Sequence, residues 1–169
     1  MARNIEIKAR IASVEAVLAR ATSIADGAPV VIDQDDTFFA VAHGRLKLRR
    51  FADGSAELIQ YHRDDRADAK ASDYVRVPVT EADALGAALT RACGTRGRVR
   101  KRRLLLMAGQ TRIHLDRVDG LGDFLELEVV LRDGQSDADG TAIAERLMAA
   151  LAIAPEDRRA GAYLDLAAG

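Results

Sequence analysis

One cysteine, no tryptophan, three prolines and seven aromatic residues leave this 169-residue chain short of the residue types that most often announce a function. With Cys93 alone, no disulfide can close within the chain and no multi-thiolate metal site can form, a pattern suited to reducing surroundings. No apolar stretch approaches the ~20 residues needed to cross a bilayer. Arg3, Glu6 and Lys8 interrupt any apolar signal core at the N-terminus, so a cytoplasmic protein with no membrane partner is expected. Lysine and arginine number 25 against 26 aspartates and glutamates, a formal net charge of −1, which gives no global pull toward nucleic acid. Three histidines without His-x-x-x-His spacing argue against a zinc-type site, and no Gly-x-x-x-x-Gly-Lys-Ser/Thr loop is present for a nucleotide phosphate. Any electrostatic function must come from local sorting of charge.

What is there is a chain that is 49% hydrophobic and 30% charged, enough for one folded domain over 1–169. Eight strand-like runs cover 3–11, 30–41, 45–52, 55–63, 72–79, 97–108, 111–119 and 123–132, with Asp53-Gly54 a hairpin signal. Helical spacing covers 13–24 behind a Ser13 cap, 80–94 behind a Thr80–Asp83 spacing close to a capping box, and 137–153 up to Pro155. Gly134 and Gly140 suggest a loop-like entry to the third helix. Short connections and the lack of regular βαβ alternation predict an α+β fold with antiparallel strands.

Residues two apart on a strand share a face. In 3–11, Ile5, Ile7, Ala9 and Ile11 oppose Asn4, Glu6, Lys8 and Arg10. The same division sets Leu46 and Leu48 against Arg45, Lys47 and Arg49; Ile113 and Leu115 against Arg112, His114 and Asp116; and Leu125, Leu127 and Val129 against Glu126 and Glu128. Lys101 and Arg103 share a face with Val99, and Glu57, Tyr61 and Arg63 with Ile59. One exposed sheet covered by helices on its apolar side would give such a pattern. Two details favour closure instead: the charged faces carry little Ser, Thr, Asn or Gln, and cations and carboxylates are sorted onto different strands. Eight strands can close into a barrel with a modest interior. Lysines and arginines turned inward would suit a polyphosphate, and carboxylates would suit Mg²⁺ or Mn²⁺ bridging to its oxygens.

The order "NIEIKAR", "RLKLR", "VRKRR", "IHLD" and "GLGDFLELE", with "AYLDL" near the end, resembles the CYTH superfamily, the triphosphate tunnel metalloenzymes. "GLGDFLELE" is most similar to the class IV adenylate cyclase branch. The resemblance implies an eight-stranded antiparallel closed barrel with a charged lumen and flanking helices. It also implies a metal-dependent enzyme acting on a small-molecule triphosphate such as ATP, tripolyphosphate or thiamine triphosphate. Lys8, Lys47, Arg49, Lys101 and Arg103 would hold the triphosphate. Glu6, Asp116, Glu126 and Glu128 would hold Mg²⁺ or Mn²⁺, and Glu6, Lys8 and Asp116 would stand at the reaction. Two departures mark this chain. Asn4 takes the place of the first Glu in the family's Glu-x-Glu-x-Lys signature, and Tyr61 stands where similar proteins place a lysine, with Arg63 on the same face as the substitute.

Cyclisation of ATP is the first expectation, hydrolysis of an inorganic or thiamine triphosphate the second, and a triphosphate-binding protein without turnover the third; an ordinary charged sheet with protein partners is the fourth. Asp36 is poised between lining the tunnel mouth and a hairpin hydrogen bond. Arg76 reads as a solvated strand arginine, His114 as a hydrogen-bonded structural histidine, His43 and His62 as turn or surface residues, and Cys93 as helix packing. The apolar strand faces that three helices leave uncovered could pair two copies of the chain.

Overall fold

Alternation does in β1 (Ala2–Arg10) what it does around the whole structure: Ile5 and Ile7 are buried on one side, Asn4, Glu6 and Lys8 on the other. The computed structural model describes residues 2–167. After β1 come α1 (Val14–Ile24), β2 (Val30–Phe39), β3 (Arg45–Phe51), β4 (Ala56–Arg63), β5 (Lys70–Val79), α2 (Ala82–Cys93), β6 (Thr95–Ala108), β7 (Thr111–Val118), β8 (Gly122–Val130), α3 (Asp137–Ala150) and α4 (Tyr163–Ala167). All eight strands predicted from alternation form. They close as β1-β5-β4-β3-β2-β6-β7-β8, and every neighbouring pair is antiparallel.

Two apolar cores lie outside the barrel wall, while a third cluster, with Phe38, Ile59, Tyr61, Val99 and Tyr163, lines the lumen. Ile5, Ile7, Ile113, Leu115, Leu125, Leu127 and Val129 pack under Val14, Val17 and Ala21 of α1 and Ala144 and Met148 of α3. Phe39, Leu48 and Ala56 pack under α2, where Leu85, Leu89 and Cys93 complete a smaller cluster. Each buried Val, Leu, Ile, Phe or Met side chain contributes roughly 1.5–3 kcal/mol, so the helices hold the wall closed from outside and leave the charged faces to the lumen.

Register fixes what meets inside. Glu6 lies opposite Glu128, Lys8 opposite Glu126, Arg49 opposite Asp36 and Arg103 opposite Asp116. A slip of one residue in any of these pairs would send the charges into the outer core.

Helix starts are less faithfully signalled. Ser13 caps α1 as expected, its Oγ accepting from Ala16 N at 3.1 Å. The Thr80–Asp83 box does not form: α2 begins after Glu81 with no side-chain cap, and Arg50 instead reaches Ala82 O and Asp83 Oδ1. Nor is the entry to α3 loose. Ser136 and Asp139 close a full capping box, and Gly140 sits inside the helix. A Cβ on Gly140 would stand 2.5 Å from Ile5 Cγ1 and 2.6 Å from Leu131 Cδ2, so glycine is there to let α3 approach β1. Gly140→Ala should therefore destabilise the fold by about 1–3 kcal/mol through overpacking, although alanine is the better helix former by ~1 kcal/mol. Thermal denaturation should show a lower midpoint; an unchanged or raised one would mean the helix can back away.

Candidate active site

The charged faces surround a cavity of about 280 Å³. Eight lysines and arginines line it against four carboxylates, Glu6, Asp36, Glu126 and Glu128, a formal excess of four positive charges. Isolated, such charges would be intolerably costly to bury; here they are interleaved.

On the wall made by β2, β3 and β6, Asp36 accepts from Arg49 Nε and Nη2 at 2.7 Å each, from Lys47 Nζ at 3.0 Å and from Lys101 Nζ at 3.4 Å. Burial pushes its carboxyl up, but Lys47, Lys101 and Arg49 together hold it well below the usual carboxylate range. The lysines yield in the other direction: burial, aided by neighbouring arginines, brings Lys47 down to about 8 and Lys101 to about 7.

On the opposite wall, Arg63 donates to Glu6 Oε2 at 2.5 Å, and Lys8 Nζ lies 3.6 Å from Glu126 Oε1. From β6, beside Lys101, Arg103 links the two walls, donating to both Asp116 oxygens at 2.7 and 2.6 Å and to Glu126 Oε2 at 3.3 Å. Asp116 has a different place from the one expected: it is fully buried behind Arg103 and does not line the cavity. Burial raises its carboxyl, yet Arg103 overrides that and holds it at about 2.

Glu126 and Glu128 stand with His114, one donor atom from each lying within 4.8 Å of the others. His114 is buried, its Nε2 lies 3.5 Å from Arg103 Nη1, and its Nδ1 has no hydrogen-bond partner. Two carboxylates and a free imidazole nitrogen are a donor set that fits a divalent ion of the Mg²⁺–Mn²⁺ group, with the nitrogen favouring the latter. Glu6 is the adjacent carboxylate across the β1–β8 pair.

One end of the lumen is closed by residues 161–165, of which the strand pattern gave no sign. Gly161 O accepts from Lys8 Nζ at 3.2 Å and from Arg63 Nη2 at 2.9 Å. Tyr163 Oη donates to Asp116 Oδ2 at 2.7 Å, and Lys8 Nζ lies 4.1 Å from the Tyr163 ring centre. Asp165 caps Ala162 N and pairs with Arg45. At the other end, Arg76 is held bidentately by Glu57 and is half exposed, while Arg112 reaches Glu128. Arg76 thus rims the cavity as an ion-paired residue rather than a freely solvated one.

The cations proposed from sequence, Lys8, Lys47, Arg49, Arg63, Lys101 and Arg103, all face this one cavity. Asp36, His114 and Tyr163 join them. The sequence leaves Asp36 between the tunnel mouth and a hairpin hydrogen bond; the three-dimensional register shows it inside, bonded to three cations. The family model for the CYTH domain matches residues 2–163. The chain belongs to the CYTH family. No curated protein sequence matches it. Solved structures share the CYTH architecture at low identity. The PH1012 protein of Pyrococcus horikoshii is 21% identical over 96% of this chain and 98% of its own, with a TM-score of 0.86. A Vibrio parahaemolyticus protein named as a candidate adenylate cyclase is 20% identical over 98% of both chains, with a TM-score of 0.79. A Hippeastrum protein described as having a dominant triphosphatase activity is 15% identical over 89% of this chain and 88% of its own, at a TM-score of 0.64. Among the described residues no helix is long and apolar enough to cross a membrane.

Proposed function

We propose that this CYTH protein is a divalent-metal-dependent enzyme acting on a triphosphate held inside the barrel, with conversion of ATP to cyclic AMP and pyrophosphate as its reaction. The observation that carries this reading is the excess of four positive charges lining a barrel cavity that also holds a carboxylate–imidazole cluster. Lys47, Arg49, Lys101 and Arg103 on one wall and Lys8 and Arg63 on the other would exchange their carboxylate partners for phosphate oxygens. Such exchange suits phosphoryl chemistry, which needs positioning and charge neutralisation more than covalent help. Glu126, Glu128 and His114, with Glu6 beside them, would hold Mg²⁺ or Mn²⁺, which supplies charge neutralisation at the phosphate oxygens when bound.

In the cyclase reading the ribose 3′ hydroxyl gives up its proton to solvent, its oxygen bonds to the α-phosphorus, and the bond between that phosphorus and the bridging oxygen breaks, the oxygen leaving with pyrophosphate. Lys8 and Arg63, at the closed end, would meet the charge gathering on the departing pyrophosphate. Glu6 sits against the same phosphates through Arg63. Asp116 acts at one remove, as the residue that orients Arg103. Hydrolysis is the second reading, favoured by the Hippeastrum relative's triphosphatase activity.

Incubation of the purified chain with ATP or tripolyphosphate, each with Mg²⁺ and with Mn²⁺, separates these readings once the products are resolved by chromatography. Cyclic AMP with pyrophosphate is the expected result. Orthophosphate from tripolyphosphate with ATP left intact would make the protein a triphosphatase, and tight binding without product would make it a sensor.

A further inference from the structure

The lumen's charges find partners, but three of its neutral groups do not. Asn4 Oδ1, Gln34 Oε1 and Ser72 Oγ are buried atoms with no hydrogen-bond partner, on residues only 2%, 6% and 1% exposed that all line the cavity. An unpaired buried polar atom carries a free-energy penalty comparable to a lost hydrogen bond, so three in one cavity ask for an explanation. They are also placed together. Asn4 and Ser72 are direct partners across β1 and β5, and β2, which carries Gln34, is four strands from β1 either way round the barrel. Gln34 therefore faces that pair across the lumen.

A triphosphate can satisfy the Ser72 hydroxyl, which donates as well as accepts, but not the amide oxygens of Asn4 and Gln34 as they are oriented. Ionised phosphate oxygens accept hydrogen bonds, and the amide oxygens of Asn4 and Gln34 also only accept. What they need is an O–H or N–H donor. The surroundings of Gln34 fit a group that is organic as well as polar. Phe51 lies directly opposite it on β3, and Ile32, two residues earlier on the same strand face, lines the same cavity. Gln34, Ile32 and Phe51 lie toward the end where β1 and β2 begin, away from Lys8 and the end closed by Gly161 and Tyr163, while Ser72, directly opposite Arg63 across β4 and β5, joins them to the cations.

We infer that Asn4, Ser72 and Gln34 form a neutral subsite for the non-phosphate part of an organic triphosphate, a hydroxyl- or amine-bearing group such as a sugar or base. The triphosphate itself is drawn toward the closed end. The inference rests on the triphosphate reading above and narrows it, because inorganic tripolyphosphate offers this subsite nothing to bind. It also gives Asn4 a part of its own: its neutral amide can receive a hydroxyl of the ligand.

The test is calorimetric titration of the full chain in EDTA, which stops metal-dependent turnover and removes any metal that could engage Asn4. ATP, thiamine triphosphate and tripolyphosphate are the probes, against wild type, Gln34→Leu, Ser72→Ala and Asn4→Ala. Gln34→Leu is close to isosteric and adds no charge, so it keeps the test open if an alanine variant fails to fold. Each variant should weaken at least one organic triphosphate about five- to tenfold, the size of one neutral hydrogen bond, and leave tripolyphosphate within about twofold. Equal losses for organic and inorganic ligands, or wild-type binding of tripolyphosphate alone, would overturn the subsite and leave the triphosphate reading standing. No binding of any of the three by wild type, in EDTA or after Mg²⁺ is restored, would overturn both.

Discussion

Asp36→Ala should lower the unfolding free energy by about 3–5 kcal/mol, the usual consequence of removing one member of a buried ion cluster. The aspartate is 1% exposed and is the carboxylate partner of Lys47, Arg49 and Lys101. Without it, three buried cations face one another. For a domain of this size, 1 kcal/mol corresponds to roughly 2–4 °C, so the melting midpoint should fall by about 10 °C. The same variant should be rescued by polyanion more than wild type is. Tripolyphosphate can supply the missing negative charge, and any ligand bound only by the folded state raises its midpoint. A fall in stability without enhanced rescue would mean that Asp36 is purely structural and that phosphate does not reach that wall.

The second large effect is on pH. Triphosphate affinity should drop by about five-hundredfold between pH 7 and pH 9, because each lysine that must be charged in the complex costs up to about tenfold per pH unit above its own pKa. Lys101 at about 7 and Lys47 at about 8 lose their protons within that window. Calorimetry at pH 8 in two buffers of different ionisation enthalpy should show net proton uptake on binding. The empty protein should move the other way. Both lysines have folded pKa values below 10.5, so between about pH 7 and 10.5 the unfolded chain binds more protons, and stability rises with pH. At the acid end Asp116, held at about 2 against an ordinary 3.8, stabilises the fold above its unfolded pKa, and that contribution is lost as pH falls through 2. Affinity that is flat from pH 7 to 9 would remove Lys47 and Lys101 from the binding wall.

Strands were legible in the sequence because burial on both sides of a barrel leaves a period-two signature that cannot be mistaken: apolar toward the helices, charged toward the lumen. The cation set was legible for the same reason. Asp36, His114 and Tyr163 were harder, since their roles depend on register between strands that are far apart in sequence, such as β2 with β6, or on a short segment with no periodicity. The starts of α2 and α3 were misread because capping is a matter of one or two hydrogen bonds. Thr80 offers the right residue in the wrong geometry, while Ser136 and Asp139 supply the box that the glycines nearby had obscured. Gly140 shows the same limit: the sequence cannot distinguish a glycine that loosens a turn from one that lets a helix and a strand touch.

Because the two faces of each strand lead to chemically opposite places, the barrel is selective about how its chain can change length over evolutionary time. Loss or gain of a single residue within β1, β3 or β8 would exchange Lys8, Arg49 or Glu126 for an aliphatic neighbour, emptying the lumen of charge while driving that charge beneath a helix. Insertions and deletions should therefore accumulate in the turns, or arise in strands as compensated pairs. The register slip in the β2–β6 pair falls between Phe38 and Phe39, beyond Asp36 and Lys101, where it disturbs no charged partner. Homologous sequences can be aligned strand by strand on parity alone, even where no residue is shared.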